Sequence, residues 1–377
     1  MEKKIGIIGL GRLGLTFGLL CKESGYDVCG YEINQERKNQ IANKILKTPE
    51  PKVEELLNLY DITLANNIQD CLDFADLIFI LVATPSKEDG SYNHDSIDSI
   101  VKEIKSTQVK NKTLVVVCTT MPTYCESIQN KLKDLGVTVV YNASFISQGF
   151  IYDNLQNADI VLIGNKNAPK ELFDLYKDIM VKEPNFKVLS STAAEITKIS
   201  LNCFLTTKIS FSNKIGEICI NSGVEDEINE VLNAIGEDSR VGNKFLKYGF
   251  GYSGVCLPRD NRALGLHALN VGVSPSFQEI IDNSNNYHLG YLYDYFTNKN
   301  KDKQTPFTFY QLSYKRGVDI LVDSQPLNLC LLFLQDGYKV NIIESESVIE
   351  QAKPLFEKYK NNVTFSPNIK GIEINLL

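Results

Sequence analysis

The segment Gly249-Phe250-Gly251-Tyr252-Ser253-Gly254-Val255-Cys256-Leu257-Pro258-Arg259-Asp260 sets one cysteine among small residues, with a charge of each sign close behind it. Gly249, Gly251 and Gly254 permit close approach of backbone to a ligand or a positive φ, and Pro258 stiffens the exit. A thiol in such a place is a candidate nucleophile, able to form a covalent intermediate with an electrophilic carbon. Cysteine ordinarily serves as a small hydrophobe under a turn. That role requires neither the glycines nor the Arg259-Asp260 pair.

A second set of chemistry-bearing residues lies on the stretch from Thr192 to about Ser222, whose periodicity predicts one long helix, uninterrupted by Pro or Gly until Gly216. Lys198 and Asn202 stand at i and i+4 on one face, with Asn213 near the same stripe. Solvated Lys and Asn are the common case. Here Ile199, Leu201, Phe204, Leu205, Ile209 and Phe211 make the helix apolar nearly all round, so part of the polar stripe is expected to be buried and to face partners or a site.

A third pattern opens the chain. Ile5-Gly6-Ile7-Ile8 reads as a buried strand, followed by Gly9-Leu10-Gly11-Arg12-Leu13-Gly14 and the helical pattern Leu15–Ser24. In a dinucleotide fingerprint the first glycine makes the turn, the second admits a pyrophosphate, and the third packs helix on strand. The helix N-terminus then faces the phosphates. A second strand, Asp27–Tyr31, ends at Glu32, where an acid accepts the ribose hydroxyls. A tight turn beside a solvated Glu32 is the plainer alternative. A carboxylate there accepts bonds from a free 2′-hydroxyl and repels a 2′-phosphate, so NAD is expected over NADP.

The elements that must position these groups alternate along the chain. Strands are predicted at Asp76–Val82, leading to Ala83-Thr84-Pro85, and at Thr113–Cys118, leading to Thr119-Thr120-Met121-Pro122. Thr138–Tyr141 is another, and Ile160–Gly164 reads as the last strand of the first domain. Glu225–Ile235, Ala263–Val271 and Phe277–Phe296 read as helices, and Lys299–Thr305 as a polar linker. Strands at Phe307–Leu312, Lys339–Ile343, Asn362–Phe365 and Ile372–Leu376 then alternate with helices at Leu327–Asp336 and Val348–Tyr359. The expected fold is α/β: an N-terminal Rossmann-type doubly wound sheet (1–191), a central helical dimerisation segment carrying the cysteine loop (192–298), and a shortened second Rossmann-like α/β domain (299–377).

The 377 residues suffice for two or three domains. Hydrophobic content of 43% and charged content of 23% are those of a globular protein. A net charge of −7 with scattered lysines gives no footing for nucleic acid. Cysteines such as Cys21, Cys29, Cys71, Cys118, Cys203, Cys219 and Cys330 lie in apolar runs, which suits reduced core thiols and a cytoplasmic location. No signal peptide is expected before the first strand. Apolar runs such as Leu77–Ala83 fall far short of the ~20 residues of a membrane helix.

Together these motifs resemble the UDP-glucose/GDP-mannose dehydrogenase family, most closely its short bacterial UDP-glucose 6-dehydrogenases. The resemblance is carried by Gly9–Gly14, Ala83-Thr84-Pro85, Thr120-Met121-Pro122, Tyr152-Asp153-Asn154-Leu155, Glu195-x-x-Lys198-x-x-x-Asn202, Asp238-x-Arg240-x-Gly242 and Cys256-Leu257-Pro258-Arg259-Asp260. It implies oxidation of the C6 hydroxymethyl of a nucleotide sugar to a carboxylate with two NAD⁺ in succession. Cys256 would trap the aldehyde as a thiohemiacetal, and a second hydride transfer would leave a thioester for water to hydrolyse. Lys198 and Asn202 would stabilise the oxygen anion at C6. Asp260, with Thr120, would position or activate water.

The same resemblance implies NAD contacts from Gly9, Gly11, Arg12, Leu13, Gly14, Glu32, Arg37, Thr84, Pro85 and Thr120. It implies nucleotide-sugar contacts from Phe145, Ser147, Gln148, Lys198, Asn202, Tyr248, Gly251, Tyr252, Gly254 and Lys315, with Arg240 reaching the substrate site or a subunit interface. No metal is implied. A homodimer is expected on the long helix around Lys198–Ser222, since its apolar surface exceeds one domain contact.

The chain departs from the family at several places. Ala143-Ser144-Phe145-Ile146-Ser147-Gln148-Gly149 stands where the family has Pro-Glu-Phe-Leu-Arg-Glu-Gly, and one of those carboxylates assists proton transfer in the family. Ser253 replaces a loop glycine, and Val322 an arginine. UDP-glucose is the expected substrate, in service of capsule or other polysaccharide synthesis. UDP-N-acetylmannosamine or GDP-mannose are the alternatives, as is a binding protein on the same scaffold; the retained Cys256, Lys198, Asn202 and Asp260 speak against the last.

Overall fold

In the computed structural model, which describes residues 3–107, 109–369, 371–374 and 376, the opening apolar run forms β1 (Lys4–Ile8), and β2 (Asp27–Tyr31) lies beside it in register, Ile5 opposite Val28. With β3 (Thr63–Leu64), β4 (Leu77–Ile80), β5 (Thr113–Val116) and β6 (Thr138–Tyr141) they make a six-stranded sheet in the order β3-β2-β1-β4-β5-β6. Every pairing in it is parallel. That order is the doubly wound dinucleotide-binding arrangement, whose strand order reverses between β1 and β4 and leaves the ligand crevice beyond the carboxyl ends of the strands.

Beyond their first residues the central strands are apolar and buried, because both faces are covered. In β4, Leu77 and Phe79 pack in the cluster that holds Ile5 and Ile7, while Ile78 and Ile80 pack with Leu114 and Val116. This is the period-two alternation of a pleated strand.

Ile160–Gly164 does not close this region as expected. Its strand β7 (Val161–Ile163) pairs in parallel with β8 (Phe186–Val188) in a separate two-stranded sheet, joined to β6 by a bridge between Tyr141 and Gly164. Three residues, two of them exposed, give β8 no readable alternation in sequence.

The long helix spans Ser191–Asn221, 31 residues and about 46 Å at 1.5 Å per residue. The chain divides into two compact units, residues 1–199 and 200–377, and this helix contributes its first turns to one and the remainder to the other.

In the second unit β9 (Phe307–Phe309), β10 (Val340–Ile342), β11 (Val363–Thr364) and β12 (Ile372–Ile374) form a parallel sheet ordered β11-β10-β9-β12. The helix Gln325–Gln335 starts where Ser324 Oγ accepts the Leu327 N–H and Pro326 occupies the first turn. Phe333 stacks on Phe307 at 4.0 Å, and Leu292 and Phe296 of the helix Phe277–Asn298 complete the same core. The helical segment and the C-terminal sheet, separable by composition at Lys299–Thr305, thus share one hydrophobic interior. Among the described residues no helix is long and apolar enough to cross a membrane.

Candidate active site

The crevice at the carboxyl end of β1 is built by the glycine turn. Gly9 has φ +101° and donates its N–H to Tyr31 O at 2.8 Å; a Cβ there would overlap the Leu81 carbonyl. A Cβ on Gly14 would overlap the Gly9 carbonyl oxygen, so helix and strand meet at that glycine. Gly11 is different, since a Cβ on it would meet nothing. It caps the helix Arg12–Glu23 with its surface open, as a pyrophosphate cradle requires. These three environments fit NAD.

Glu32 carries one oxygen to the Leu10 N–H at 3.1 Å and the other to the Asn34 N–H at 2.9 Å. Arg37 Nε donates to the Leu10 carbonyl at 2.6 Å, and burial pushes its guanidinium below the ordinary value despite the nearby Glu32. Glu32, just after β2, and Arg37, in the helix Gln35–Ala42, therefore clamp the backbone N–H and carbonyl of Leu10. Leu13 packs against the core, and Arg12 Nη1 donates to Gln148 Oε1 at 3.0 Å. Thr84 is buried with its hydroxyl on the Thr119 carbonyl at 2.8 Å, and Pro85 beside it is exposed.

Thr120, expected to help handle water, is fully buried and donates to Glu195 Oε1 at 2.8 Å. Glu195 also accepts the N–H groups of Thr123 and Cys125 at 2.7 and 2.8 Å. Burial raises its carboxyl above the usual range, opposed by those bonds. The turn is held on its other side by His94, whose Nε2 accepts from the Met121 N–H at 3.3 Å and whose ring stacks on Tyr124 at 3.8 Å. Desolvation lowers His94 to about 4. Sequence reading gave Glu195 and His94 no role, although an acid in the first turns of an apolar helix was a signal for Glu195.

Lys198 is 8% exposed, donates to the Ser144 carbonyl at 2.9 Å, and lies 4.6 Å from the Phe145 ring centroid. Its helix thereby grips the 143–149 loop through backbone and ring. The same loop is pinned by Glu50, a buried carboxylate accepting from the N–H groups of Gly149 and Ile151 at 2.7 and 3.2 Å. Asn154 Oδ1 accepts from the Ser147 N–H at 2.7 Å. Nothing in the local pattern around Glu50 marks it, because its partners are about 100 residues away.

In the second unit Cys256 is the N-cap of the helix Leu257–Asn270, and Pro258 sits in the first turn. All nine cysteines are thiols; eight are buried and Cys256 is exposed. The amide dipoles at this helix end favour negative charge beside the sulfur. Asp260 was expected to act on water. It is instead fully buried, accepting from Asn202 Nδ2 at 2.6 Å and pairing with Arg259 at 2.9 Å. Asn202 donates to one of its oxygens and Arg259 pairs with the other.

The remaining expected substrate residues divide. Gly254 has φ +81° and lies under the Tyr314 ring, and Gly251 lies against Asn285, so both positions admit no side chain. Tyr252 is 2% exposed, with its hydroxyl on Asp282 at 2.5 Å. Tyr248 packs its ring on Gly216 of the long helix. Arg240 is exposed and forked onto Asp238, the second oxygen at 2.7 Å. Lys315 is half-buried in a loop where its carbonyl accepts from Ser313 Oγ at 2.9 Å. No group of three or more His, Cys, Asp or Glu side chains is placed to hold a metal among the described residues.

Two family models match the chain: the NAD-binding domain of the UDP-glucose/GDP-mannose dehydrogenase family over residues 3–180, and the central domain of that family over residues 192–287. The chain belongs to the UDP-glucose/GDP-mannose dehydrogenase family. Membership places it among NAD-dependent nucleotide-sugar dehydrogenases, with NAD the cofactor of the domain at residues 3–180. It is 34% identical over 280 residues to the UDP-glucose 6-dehydrogenase YwqF of Bacillus subtilis (strain 168), a match covering 71% of this chain and 62% of that relative's length. It is 27% identical over 354 residues to a UDP-glucose 6-dehydrogenase of Pseudomonas aeruginosa, covering 89% of this chain and 78% of that protein. A UDP-glucose dehydrogenase structure from Pyrobaculum islandicum superposes with a TM-score of 0.86 at 22% identity, over 98% of this chain and 87% of that one, and so shares the fold.

Proposed function

We propose that the protein oxidises the C6 hydroxymethyl of UDP-glucose to the carboxylate of UDP-glucuronate, with Cys256 as the covalent nucleophile. The observation that carries this reading is the exposed thiol of Cys256 at a helix N-terminus, in a loop whose glycines admit no side chain. The glycine turn of Gly9, Gly11 and Gly14 would hold NAD, which would supply the hydride acceptor for the two oxidations. The sulfur of Cys256 adds to the aldehyde carbon to give a thiohemiacetal, and after the second oxidation it holds the acyl group as a thioester. Lys198 and Asn202 stabilise negative charge on the C6 oxygen. Asp260 orients Asn202, and Glu195 holds Thr120 and its turn. Water then cleaves the thioester and returns the thiol.

A panel of nucleotide sugars incubated with NAD⁺, read by NADH absorbance and by mass spectrometry of the product, tests the reading. UDP-glucose giving UDP-glucuronate is the expected result. Preferential oxidation of UDP-N-acetylmannosamine or GDP-mannose would replace the sugar and keep the chemistry.

The long helix supports a homodimer in the same reading. Phe204, Phe211 and Ile218 are exposed at seven-residue intervals, one apolar stripe along the helix. Light scattering at micromolar concentration is expected to give twice the chain mass, and a monomer would refute the dimer. The reduced thiols suit action in the cytoplasm.

A further inference from the structure

The backbone between residues 249 and 252 is held by side chains from two helices. Gly249 gives its N–H to Asn213 Oδ1 of the long helix at 3.0 Å. Its carbonyl faces His288 Nε2 at 2.7 Å, and His288 Nδ1 faces Glu217 Oε1, again of the long helix, at 2.7 Å. Three residues before His288, Asn285 donates to the Tyr252 carbonyl at 3.0 Å, and three before that, Asp282 takes the Tyr252 hydroxyl. Asp282, Asn285 and His288 form one stripe of the helix Phe277–Asn298. Both peptide groups of Gly249 are thus bonded to side chains, seven residues before the thiol.

His288 is 1% exposed between two acceptors, a carboxylate and a carbonyl. Its two ring nitrogens are thus engaged by groups from different elements, Glu217 of the long helix and Gly249 of the loop. Burial pushes the Glu217 carboxyl up, but bonds from His288 and Lys214 outweigh it and leave it below the usual carboxylate range. Buried polar pairs of this kind add little net stability compared with an apolar filling, and what they provide is one fixed geometry. The ring of Tyr248, the residue entering the loop, meets His288 edge-on at 5.7 Å.

We propose that His288 is a positioning residue for Cys256: braced by Glu217, it fixes the Gly249 carbonyl and so the direction in which the chain enters the cysteine loop. The proposal rests on the reading of Cys256 as the nucleophile. His288 touches neither substrate nor cofactor in this role.

Wild type, His288→Leu, His288→Gln and Cys256→Ala are compared as full-length proteins by three measurements. These are kcat with UDP-glucose, KM for NAD, and the rate at which iodoacetamide alkylates Cys256 in the native state, located by mass spectrometry. With the other eight cysteines buried, the label reports on Cys256. Displacement of a positioned group by an ångström costs up to about 10²-fold, so His288→Leu is expected to lower kcat about tenfold or more. The alkylation rate should shift at least about threefold, while KM for NAD stays within about twofold. His288→Gln keeps one donor for the Gly249 carbonyl and should recover part, not all, of both losses.

Wild-type kcat and alkylation rate in folded His288→Leu would overturn the proposal. If circular dichroism shows that variant unfolded, the same result in His288→Gln decides against it. A Cys256→Ala protein with full activity would instead remove the functional reading, and the alkylation rates, which need no substrate, would still decide whether His288 sets the loop.

Discussion

The glycine turn after β1 and the loop that ends at Cys256 both use glycine to bring backbone near a ligand, but they are held by opposite means. The turn is shaped by its neighbours in sequence and by strands packed directly beside it: Gly9 bonds to Tyr31, Gly14 abuts Gly9, and the helix follows at once. The cysteine loop is held by side chains from residues 36 to 39 positions away, Asn213 and His288 on Gly249. A turn made by main-chain geometry tolerates change elsewhere. A loop made by distant side chains inherits every shift in the helices that carry them, and here the helix of His288 rests on the aromatic core of Phe296, Phe307 and Phe333.

The largest expected effect falls on the cysteine side. Cys256→Ala is expected to remove formation of the acid by at least about 10³-fold and to leave NAD binding by titration unchanged, because the turn is built without the loop. Equal acid production by the variant would break the comparison along with the mechanism.

Next in size is the loss of carboxylates at Ser144 and Gln148. A positioned general base contributes roughly 10²–10⁴-fold, and Asp260, buried on Asn202 and Arg259, is poorly placed to supply one. Thioester hydrolysis should therefore limit turnover, seen as a burst of NADH, a slower steady rate and a sugar adduct on Cys256 by mass spectrometry. The structure separates the two repairs. Gln148 accepts from Arg12, so the carboxylate of Gln148→Glu would be neutralised there, whereas Ser144→Glu is expected to raise the steady rate more than the burst. Linear NADH release without adduct in the wild type would show that hydrolysis does not limit.

On the other side, Gly14→Ala should displace the turn, because its Cβ would overlap the Gly9 carbonyl. A stability loss of about 2 kcal/mol or more is expected, with weaker NAD binding and an unaltered alkylation rate at Cys256. A parallel change in alkylation would mean that the two sites are not independently built.

The smallest effect concerns pH. Burial holds His94 at about 4 in the folded protein, below its ordinary 6.5, although Asp98 and Asp95 pull the other way against Lys87 and Lys131. Its contribution to stability is fully present above pH 6.5 and is lost as pH falls toward 4, since the unfolded chain takes up the proton first. Melting temperature measured between those limits should fall less steeply in His94→Gln than in wild type, and identical slopes would remove His94 from the account.

Short-range pattern was enough for much of this molecule. The strand–turn–helix at residues 4–23, the 31-residue helix, the β-α alternation after residue 306 and the candidate nucleophile are all legible in the sequence, because hydrophobic period and glycine placement are local quantities. The two-residue β3 and the short β8 are not, since strands of that length exist only through the partners they pair with. The supporting side chains were decided by the tertiary structure alone. Glu50 and His288 look like ordinary polar residues in the sequence, and Glu195 is legible only as a motif letter; each is defined by the backbone groups it meets 39 to 101 positions away. The same holds for Asp260 and Thr120, whose residue types suggested proton transfer. Their burial and their partners, Asn202 and Arg259 for the one and Glu195 for the other, are encoded by no spacing.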